Sequence, residues 1–519
     1  MVIYAPVSAL VEITIETKTK GLSMSQVLRD ARRYEEEKEK LISAKDRPAF
    51  HLSARVGWMN DPNGFSYYDG QYHMFYQYHP YDSHWGPMHW GHAVSEDLIH
   101  WSYLPAAMAP DRTYDRDGCY SGSALTLPDG RQMLMYTGRQ LIYDENGIEQ
   151  EVQTQCLAFG DGDNYVKYAK NPVITGKDLP EGGNPYAFRD PKLWVEQDGS
   201  YRVVIANQDP RHGGQMLLYR SEDGVHWDFV KALMKDDHHM GQMWECPDFF
   251  PLDGKQVLLA SAQDMLPSGL EYHNGNGTFY FIGDYNWENS DFKPECNYAM
   301  DYGIDFYAPQ TILTPDGRRV VIGWMQNWDT CNLHTKSTPW FGQMSIPREL
   351  SIRDGRIYQA PIRELEALRS DPVCYRDVLV EDTEISLKGV EGRLVDLTLE
   401  IEPVEGKELY RKFALRFAQN ETFHTGVSFR PYESIVKIDR KFSGSRRAII
   451  HQRRAAVNHD HGRIKLRLIL DRFSAEIFVN DGEKVLTATL YTDMAADGIS
   501  FMANGAAKIH VTQYTLKEM

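Results

Sequence analysis

From about His51 onward, the chain alternates short apolar and aromatic runs with polar turns. Five of these turns contain Asp-Gly followed directly by a β-type run, and they are Asp69-Gly70, Asp129-Gly130, Asp198-Gly199, Asp253-Gly254 and Asp316-Gly317. Asp-Gly between two such runs is typical of a tight antiparallel hairpin. Successive turns are 60, 69, 55 and 63 residues apart. One Asp-Gly is weak evidence, but five with the same following run predict a repeated β unit.

The repeat length indicates the architecture. A second echo supports the repeat, since Ser-Glu-Asp-Leu-Ile-His-Trp at 95–101 returns as Ser-Glu-Asp-Gly-Val-His-Trp at 221–227. Units of about 60 residues fit four-stranded blades, and radial stacking of such blades gives a propeller. We therefore predict an all-β protein in which residues 51–350 form a five-bladed β-propeller. A β-sandwich is the structural alternative, but it gives no reason for five similar units.

The segments on either side of the repeat have different patterns. Residues 1–50 comprise an N-terminal extension and a charged helix, for which Ser23 and Gln26 have the spacing of a capping box. Residues 351–373 are predicted to be a linker with a short helix. From 374 to 519 the chain alternates again without the repeat, which predicts a separate β-sandwich domain.

Composition and charge exclude several classes of protein. A chain of 519 residues is too long for one ordinary core and indicates two or three domains. Aromatic residues make up 12% of it, which favours sheets or a surface that stacks on carbohydrate. The net charge, 56 − 73 = −17, argues against binding to the phosphates of nucleic acid. No stretch approaches the roughly 18 uninterrupted apolar residues of a membrane span. We expect neither nucleic acid nor membrane as a partner.

The N-terminus and the cysteines bear on the cellular compartment. Residues 1–19 alternate apolar and polar positions and lack the basic start and continuous apolar stretch of a signal peptide. The cysteines are scattered singly, without a Cys-x-x-Cys pair, as expected of reduced thiols; they are Cys119, Cys156, Cys246, Cys296, Cys331 and Cys374. We therefore expect a cytoplasmic protein.

Asp-Asp-His-His at 236–239 is interpreted as a loop, because nothing else supplies zinc spacing. We expect no metal and no cofactor.

Alignment of the five hairpins locates candidate chemistry. The residues eight positions before each hairpin aspartate are Asp61, Ser121, Asp190, Glu245 and Ala308. Equivalent positions on the innermost strands of a propeller surround one mouth of its central channel, so three carboxylates are predicted around one funnel. A single Asp-Pro is usually a turn. Three acids at equivalent positions, near Trp58, Trp85 and Trp244, indicate a site instead.

Crowded carboxylates suit one kind of catalysis in particular. Like charges in a cleft raise at least one pKa, so that one carboxyl stays protonated near neutral pH while another is ionised. Glycoside hydrolysis needs this division, with an acid for the leaving oxygen and an anion at the anomeric carbon. A hard-cation site is the alternative, but no Asp-x-Asp-x-Asp-Gly loop is present.

Three motifs, in order, resemble glycoside hydrolase family 32. They are Trp-Met-Asn-Asp-Pro-Asn-Gly at 58–64, Phe-Arg-Asp-Pro at 188–191 and Trp-Glu-Cys-Pro-Asp at 244–248, with Gly-Cys-Tyr-Ser-Gly-Ser at 118–123 and Gly-Trp-Met-Gln at 323–326. The resemblance covers about 45–519, including a C-terminal sandwich motif at 475–483. The family comprises invertases, sucrose-6-phosphate hydrolases, inulinases and levanases. Its fold, a five-bladed propeller with a β-sandwich, agrees with the repeat.

The resemblance implies a role for each acid. Asp61 would be the nucleophile at C2 of the fructosyl unit and Glu245 the general acid/base, while Asp190 would bind two fructose hydroxyls and stabilise the transition state. It also implies a set of residues around that fructose: Asn60, Gln77, Trp85, Tyr120, Ser121, Arg189 and Trp324. Family members retain configuration, so the Asp61 and Glu245 carboxyls are expected about 5–5.5 Å apart. Cys246 is interpreted as a buried small residue and not as a redox control.

The leading hypothesis is a β-fructofuranosidase acting on sucrose, sucrose 6-phosphate or short fructo-oligosaccharides. Within the family, an exo-inulinase or levanase is the nearest alternative, and a fructosyltransferase would share the covalent intermediate. From a different class, a non-catalytic fructan-binding propeller is disfavoured by the three crowded carboxylates. The sequence leaves open the preferred substrate, the ratio of hydrolysis to transfer, and whether a homo-oligomer forms.

Overall fold

The computed structural model describes residues 24–331, 338–444 and 450–518. Across these ranges the chain is almost entirely β-structure, with one α-helix, α1 (Gln26–Glu39), in front of the propeller. The described residues include no helix long and apolar enough to cross a membrane. The predicted all-β class, with a five-bladed propeller followed by a β-sandwich, is confirmed.

Five sheets within the described residues form the blades of the propeller. Blade one contains β1 (Gly57–Tyr68), β2 (Gln71–His79), β3 (His89–Ser95) and β4 (Ser102–Met108). Blade two contains β5 (Gly118–Thr126), β6 (Gln132–Tyr143), β7 (Glu149–Gly160) and β8 (Tyr165–Lys167). Blade three contains β9 (Phe188–Val195), β10 (Tyr201–Asp209), β11 (Gly213–Ser221) and β12 (Asp228–Lys235).

The last two blades complete the ring. Blade four contains β13 (Met243–Leu252), β14 (Lys255–Met265), β15 (Gly275–Asn286) and β16 (Asp291–Ala299). Blade five begins with β17 (Tyr307–Leu313) and β18 (Arg319–Trp324); the chain then adds β19 (Trp340–Phe341) to blade one and returns for β20 (Arg348–Arg353) and β21 (Arg356–Pro361). Neighbouring innermost strands contact one another in the order β1, β5, β9, β13, β17 and back to β1, which closes the ring.

The Asp-Gly turns join the first two strands of each blade, as predicted. Their glycines all adopt the left-handed backbone region that side chains disfavour; the φ values are 83° for Gly70, 85° for Gly130, 83° for Gly199, 82° for Gly254 and 88° for Gly317. The second echo also has a structural basis. The two segments are the turns between the third and fourth strands of blades one and three. In each turn the aspartate, Asp97 or Asp223, accepts hydrogen bonds from the backbone amides two and three residues later and from Nδ1 of the histidine three residues later.

Helix α1 begins differently from the prediction. Its N-cap is Ser25, whose Oγ accepts a 3.2 Å hydrogen bond from the backbone amide of Leu28. Ser23 lies outside the described residues, and Gln26 is the first helical residue, so the predicted capping box is wrong. The prediction chose the wrong one of two nearby serines, Ser23 and Ser25. A capping box needs a polar side chain three residues after the N-cap, and Leu28 occupies that position after Ser25. One face of the helix packs against β4 of blade one, where its buried Glu35 accepts a hydrogen bond from the backbone amide of Ala106.

The β-sandwich consists of two six-stranded sheets within the described residues. One contains β22 (Arg369–Glu381), β24 (Val395–Pro403), β29 (Ile464–Asp471), β30 (Ser474–Val479), β31 (Lys484–Thr489) and β33 (Ala506–Leu516). The other contains β23 (Glu384–Ile385), β25 (Lys412–Gln419), β26 (His424–Arg430), β27 (Ile435–Phe442), β28 (Gln452–Ala456) and β32 (Gly498–Asn504). Their inward-facing apolar side chains form one continuous core.

The segment between the domains differs from the predicted linker at 351–373. Strands β20 and β21 pair as the outer half of blade five, so the propeller continues to Pro361. Their turn is a further Asp-Gly, at Asp354 and Gly355, both with positive φ. The short helix is a 3-10 helix over Arg363–Leu368, and the sandwich begins directly after it at Arg369. Further 3-10 turns lie at Ala44–Asp46, Thr113–Asp115, Gly176–Asp178 and Asn480–Gly482.

A buried ion cluster joins the sandwich to the propeller side. His51, just before blade one, places Nδ1 2.7 Å from Asp471 and Nε2 2.9 Å from Glu476 on the sandwich. Glu476 also accepts a 2.8 Å hydrogen bond from Arg348 Nε on β20. Burial alone would lower the pKa of His51, but the hydrogen bonds and charges of Asp471 and Glu476 outweigh it and raise that pKa to about 9. The domains are therefore connected by a protonated histidine.

The raised pKa of His51 predicts a loss of stability at alkaline pH. Because the pKa in the folded protein exceeds the unfolded value, the stabilisation is complete below about pH 6.5 and is lost as pH rises through about 9. The expected contribution is on the order of 3 kcal/mol. Calorimetry at pH 6.5 and 9.5 should give a larger fall in Tm for the wild type than for His51→Gln. His100→Gln, at an exposed His-Asp pair, is the control; equal falls in wild type and His51→Gln would contradict the prediction.

Candidate active site

A bulge interrupts the innermost strand of every blade near the mouth of the channel. Four of the aligned repeat positions lie at these bulges, and in blade four the bulge lies one residue after the aligned position. The five bulge residues are Asp61, Ser121, Asp190, Cys246 and Ala308. Bulges re-aim side chains and often lie beside active sites. Proline follows four of them directly, and since proline cannot donate to a ladder, it marks bulges in inner strands.

The three predicted carboxylates meet around one thiol. The backbone amide of Cys246 donates a 2.9 Å hydrogen bond to Asp190 Oδ2, and its Sγ lies 3.5 Å from both Asp190 Oδ2 and Asp61 Oδ2. Glu245 precedes this cysteine on β13. Asp61, Asp190 and Glu245 are each buried, with 8%, 6% and 8% of their surface exposed. The thiol itself is buried, as expected, and burial raises its pKa, so it stays protonated between the two aspartates.

The two carboxylate oxygens of Asp61 differ in their hydrogen bonding. Ser121 Oγ donates a 2.7 Å hydrogen bond to Asp61 Oδ2, whereas Oδ1 is buried without a hydrogen-bond partner among the described residues. Burial raises the pKa of Asp61 to about 6; the neighbouring Asn60 amide and the Ser121 hydroxyl oppose this shift, and the charge of Glu245 adds to it. The carboxylate is therefore ionised near neutral pH and desolvated at one oxygen, which suits a nucleophile.

Of the two aspartates, Asp190 has the higher pKa. Its backbone is strained, with φ at 65°, and its amide donates a 3.0 Å hydrogen bond to Thr137 Oγ1 on β6. Burial raises its pKa to about 7, against the nearby Arg189 guanidinium and with the charges of Glu245 and Asp61. Asp190 therefore gains or loses its proton near neutral pH.

Both carboxylate oxygens of Glu245 accept hydrogen bonds. Arg189 donates to Oε1 from Nε at 3.0 Å and from Nη2 at 2.8 Å, and the Tyr307 hydroxyl donates to Oε2 at 2.6 Å. Burial raises the pKa of Tyr307 well above its usual value, so the phenol remains a donor. Sequence analysis missed Tyr307, although it directly precedes Ala308, the fifth repeat position.

The remaining predicted residues lie in the same region but differ in exposure. Trp58 Nε1 donates a 2.8 Å hydrogen bond to Asn60 Oδ1, which orients that amide beside Asp61. Trp324 packs edge-on against Trp58 with ring centroids 5.9 Å apart and is fully buried, so it supports Trp58 from behind. Gln77 Nε2 donates a 2.9 Å hydrogen bond to the backbone oxygen of Cys119, at the start of β5.

Trp85 and Tyr120 form the rim on the side of blades one and two. Trp85 is 41% exposed and its ring meets Tyr120 edge-on, at 6.4 Å between centroids. Arg139 on β6 lies over both rings, at 5.6 Å from the Trp85 centroid and 5.5 Å from the Tyr120 centroid. No sequence signal used above identified Arg139, because it stands on the second strand of its blade.

Residues 236–239 form a loop between β12 and β13, as predicted. The Asp236 carboxylate accepts hydrogen bonds from the backbone amide of Met240 at 2.8 and 2.9 Å, and Asp237 pairs with His212 at 2.7 Å. In the part of the chain that the structure describes, no group of three or more His, Cys, Asp or Glu side chains is arranged to hold a metal ion.

Removing the Ser121 hydroxyl should move the acid limb of the pH–rate profile. The hydroxyl stabilises the ionised form of Asp61 and so keeps its pKa down at about 6. In Ser121→Ala the pKa of Asp61 should rise by about one unit, since a hydrogen bond to a charged group contributes about 1.5–3 kcal/mol. The acid limb of kcat/KM should therefore shift to higher pH. An unshifted limb with a uniformly lower rate would contradict this role.

Comparison with known proteins gives one consistent result. The profile "Glycosyl hydrolases family 32 N-terminal domain" matches residues 51–361, and "Glycosyl hydrolases family 32 C terminal" matches residues 364–518. Raffinose invertase of Escherichia coli is 38% identical over 471 residues, covering 88% of this chain and 92% of that protein. Sucrose-6-phosphate hydrolase of Escherichia coli is 35% identical over 481 residues, covering 88% and 94%.

Solved structures agree with the sequence matches. A Bombyx mori GH32 beta-fructofuranosidase mutant in complex with sucrose has a TM-score of 0.80 at 34% identity, covering 96% of this chain and 99% of that one. The sucrose-6-phosphate hydrolase of Lactobacillus gasseri has a TM-score of 0.79 at 28% identity, covering 96% and 97%.

Proposed function

The chain belongs to glycosyl hydrolases family 32, and from this membership we propose that it is a retaining β-fructofuranosidase. It releases terminal β-D-fructofuranosyl units from sucrose, sucrose 6-phosphate or short fructo-oligosaccharides. The observation that carries the proposal is the cluster of three buried carboxylates, each with different hydrogen-bond partners, around Cys246.

In the first step, Asp61 attacks C2 of the fructosyl unit. Oδ1, which has no hydrogen-bond partner among the described residues, is the attacking atom, because Ser121 occupies Oδ2. A bond forms between this oxygen and C2, and the bond from C2 to the glycosidic oxygen breaks. Glu245 gives a proton to that oxygen as it leaves. Arg189 and Tyr307 fix the direction in which Glu245 points.

In the second step, water hydrolyses the fructosyl ester on Asp61. Glu245, now ionised, takes a proton from the water, whose oxygen forms the new bond to C2 as the ester bond breaks. The Glu245 proton is restored and Asp61 is released as a carboxylate. Asp190 binds fructose hydroxyls beside the reacting carbon, and the hydrogen bonds to Thr137 and from Cys246 hold it there despite its strained backbone.

The cysteines support a cytoplasmic location. All six lie within the described ranges and none forms a disulfide, and four are buried in the propeller. Unpaired cysteines are typical of a reducing compartment.

The function is tested by fructose release from sucrose and from sucrose 6-phosphate, compared as kcat/KM in one assay. Release from either substrate, with loss in Asp61→Asn, is expected. If neither wild-type reaction yields fructose while sugar still binds, the chain is a binding propeller and the proposed function is wrong.

A further inference from the structure

Arg139 lies at the rim of the site, on the strand that pairs with β5, which carries Ser121. In the pairing of β5 with β6, Arg139 lies opposite Gly118, three residues towards the start of β5 from Ser121. Its guanidinium covers the rings of Trp85 and Tyr120. Tyr120 directly precedes Ser121, which holds Asp61, so this stack adjoins the carboxylate cluster.

Glu151 neutralises the charge of Arg139. Arg139 Nε donates a 2.6 Å hydrogen bond to Glu151 Oε2, and Nη1 donates at 3.2 Å to the backbone oxygen of Asp117. The two side chains are only 15% and 27% exposed, so the ion pair is sheltered. The Nη2 group is left to face other hydrogen-bond acceptors.

The same pair connects to the general acid/base. Gln153 Nε2 donates a 2.5 Å hydrogen bond to Glu151 Oε1, and Gln153 Oε1 lies 3.4 Å from Arg189 Nη1. Arg189 in turn holds Glu245. A continuous polar chain therefore runs from the rim to the group that protonates the leaving oxygen.

We propose that Arg139, fixed and neutralised by Glu151, binds the leaving group and makes the enzyme prefer a neutral hexosyl group to a 6-phosphorylated one. The inference rests on the proposed function. Glu151 already pairs with Arg139, and Glu245 pairs with Arg189. The exposed face of Trp85 offers a sugar ring a stacking surface, and Arg139 offers its hydroxyls a planar donor. A phosphate dianion would have to compete with these two carboxylates for the guanidinium groups.

The first test separates the leaving group from the fructosyl unit. Arg139→Gln should lower kcat/KM for sucrose about 30-fold, the loss expected for hydrogen bonds from a charged donor. Hydrolysis of methyl β-D-fructofuranoside and inhibition by fructose should change less than about twofold, because neither has a hexosyl leaving group. Arg131→Gln is the matched control: Arg131 also stacks on an aromatic ring and pairs with an acid on blade two, at the opposite end of the strand.

The second test changes the charge alone. Glu151→Gln frees the positive charge of Arg139 and should raise the ratio of kcat/KM for sucrose 6-phosphate to that for sucrose by about tenfold, roughly 1.4 kcal/mol. Asp129→Asn, beside Arg131, should leave the ratio unchanged. If Arg139→Gln does not fold, Arg139→Lys, which keeps the charge without the planar fork, replaces it in the first test.

The outcomes are distinguishable. Equal losses on sucrose and methyl fructoside in Arg139→Gln would make Arg139 structural and overturn the proposal. A wild type that prefers sucrose 6-phosphate, or an unchanged ratio in Glu151→Gln, would overturn it as well. A wild type that releases no fructose from any of the three substrates would instead contradict the proposed function.

Discussion

Asp61→Asn is expected to lower kcat for sucrose by at least about four orders of magnitude while the protein keeps its thermal transition. The amide is isosteric with the carboxylate and can still accept a hydrogen bond from Ser121 through its oxygen. It cannot form the fructosyl ester, so the two-step route is lost and only slow direct hydrolysis remains. Removing the charge also relieves repulsion with Glu245, so folding should not suffer.

The measurement is kcat for fructose release, together with Tm and the inhibition constant for fructose. An unchanged Tm and near-normal fructose binding with a collapsed kcat would assign Asp61 to the chemical step. A loss of less than about tenfold would show that the carboxylate is not the nucleophile.

Glu245→Gln is expected to lower kcat for sucrose by about 10²- to 10⁴-fold, the usual contribution of general acid/base catalysis. The glutamine keeps the hydrogen bonds that its oxygen can accept from Arg189 but has no proton to give to the leaving oxygen. A substrate whose leaving group needs no protonation, such as β-D-fructofuranosyl fluoride, should react in the first step at close to the wild-type rate.

The test is a comparison of pre-steady-state rates for sucrose and the fluoride. In Glu245→Gln the fluoride should react in a burst followed by slow turnover, because the base for the second step is missing. Equal losses in the first step for both substrates would contradict the role of Glu245 as the acid.

The fold was predictable because its signals are local and repeated. Each Asp-Gly turn determines a hairpin by itself, and the spacing of the turns places Asp61, Asp190 and Glu245 at equivalent positions of a ring. The bulges at these positions were not predicted, although the prolines that follow closely are a signal for them. The outer half of blade five was missed because only its first Asp-Gly turn was counted, although Asp354 and Gly355 carry the same signal.

The parts that were not predictable depend on contacts between distant segments. His51 and Asp471 are 420 residues apart in sequence, and neither has a local pattern that indicates its partner. Arg139 and Glu151 become neighbours only when β6 pairs with β7, and Arg139 reaches the site only through its contacts with the rings of Trp85 and Tyr120. The burial of Trp324 behind Trp58 likewise follows from packing across blades.

The central claim, covalent catalysis by Asp61 in a family-32 fructofuranosidase, is tested most directly by trapping the intermediate. Glu245→Gln is mixed with β-D-fructofuranosyl fluoride, quenched in acid during the burst, digested and analysed by mass spectrometry. A fructosyl group on the peptide that contains Asp61, and its absence when Asp61→Asn is combined with Glu245→Gln, is the predicted result. A fructosyl group on another carboxylate, or a burst of fluoride release without any modified peptide, would contradict the account.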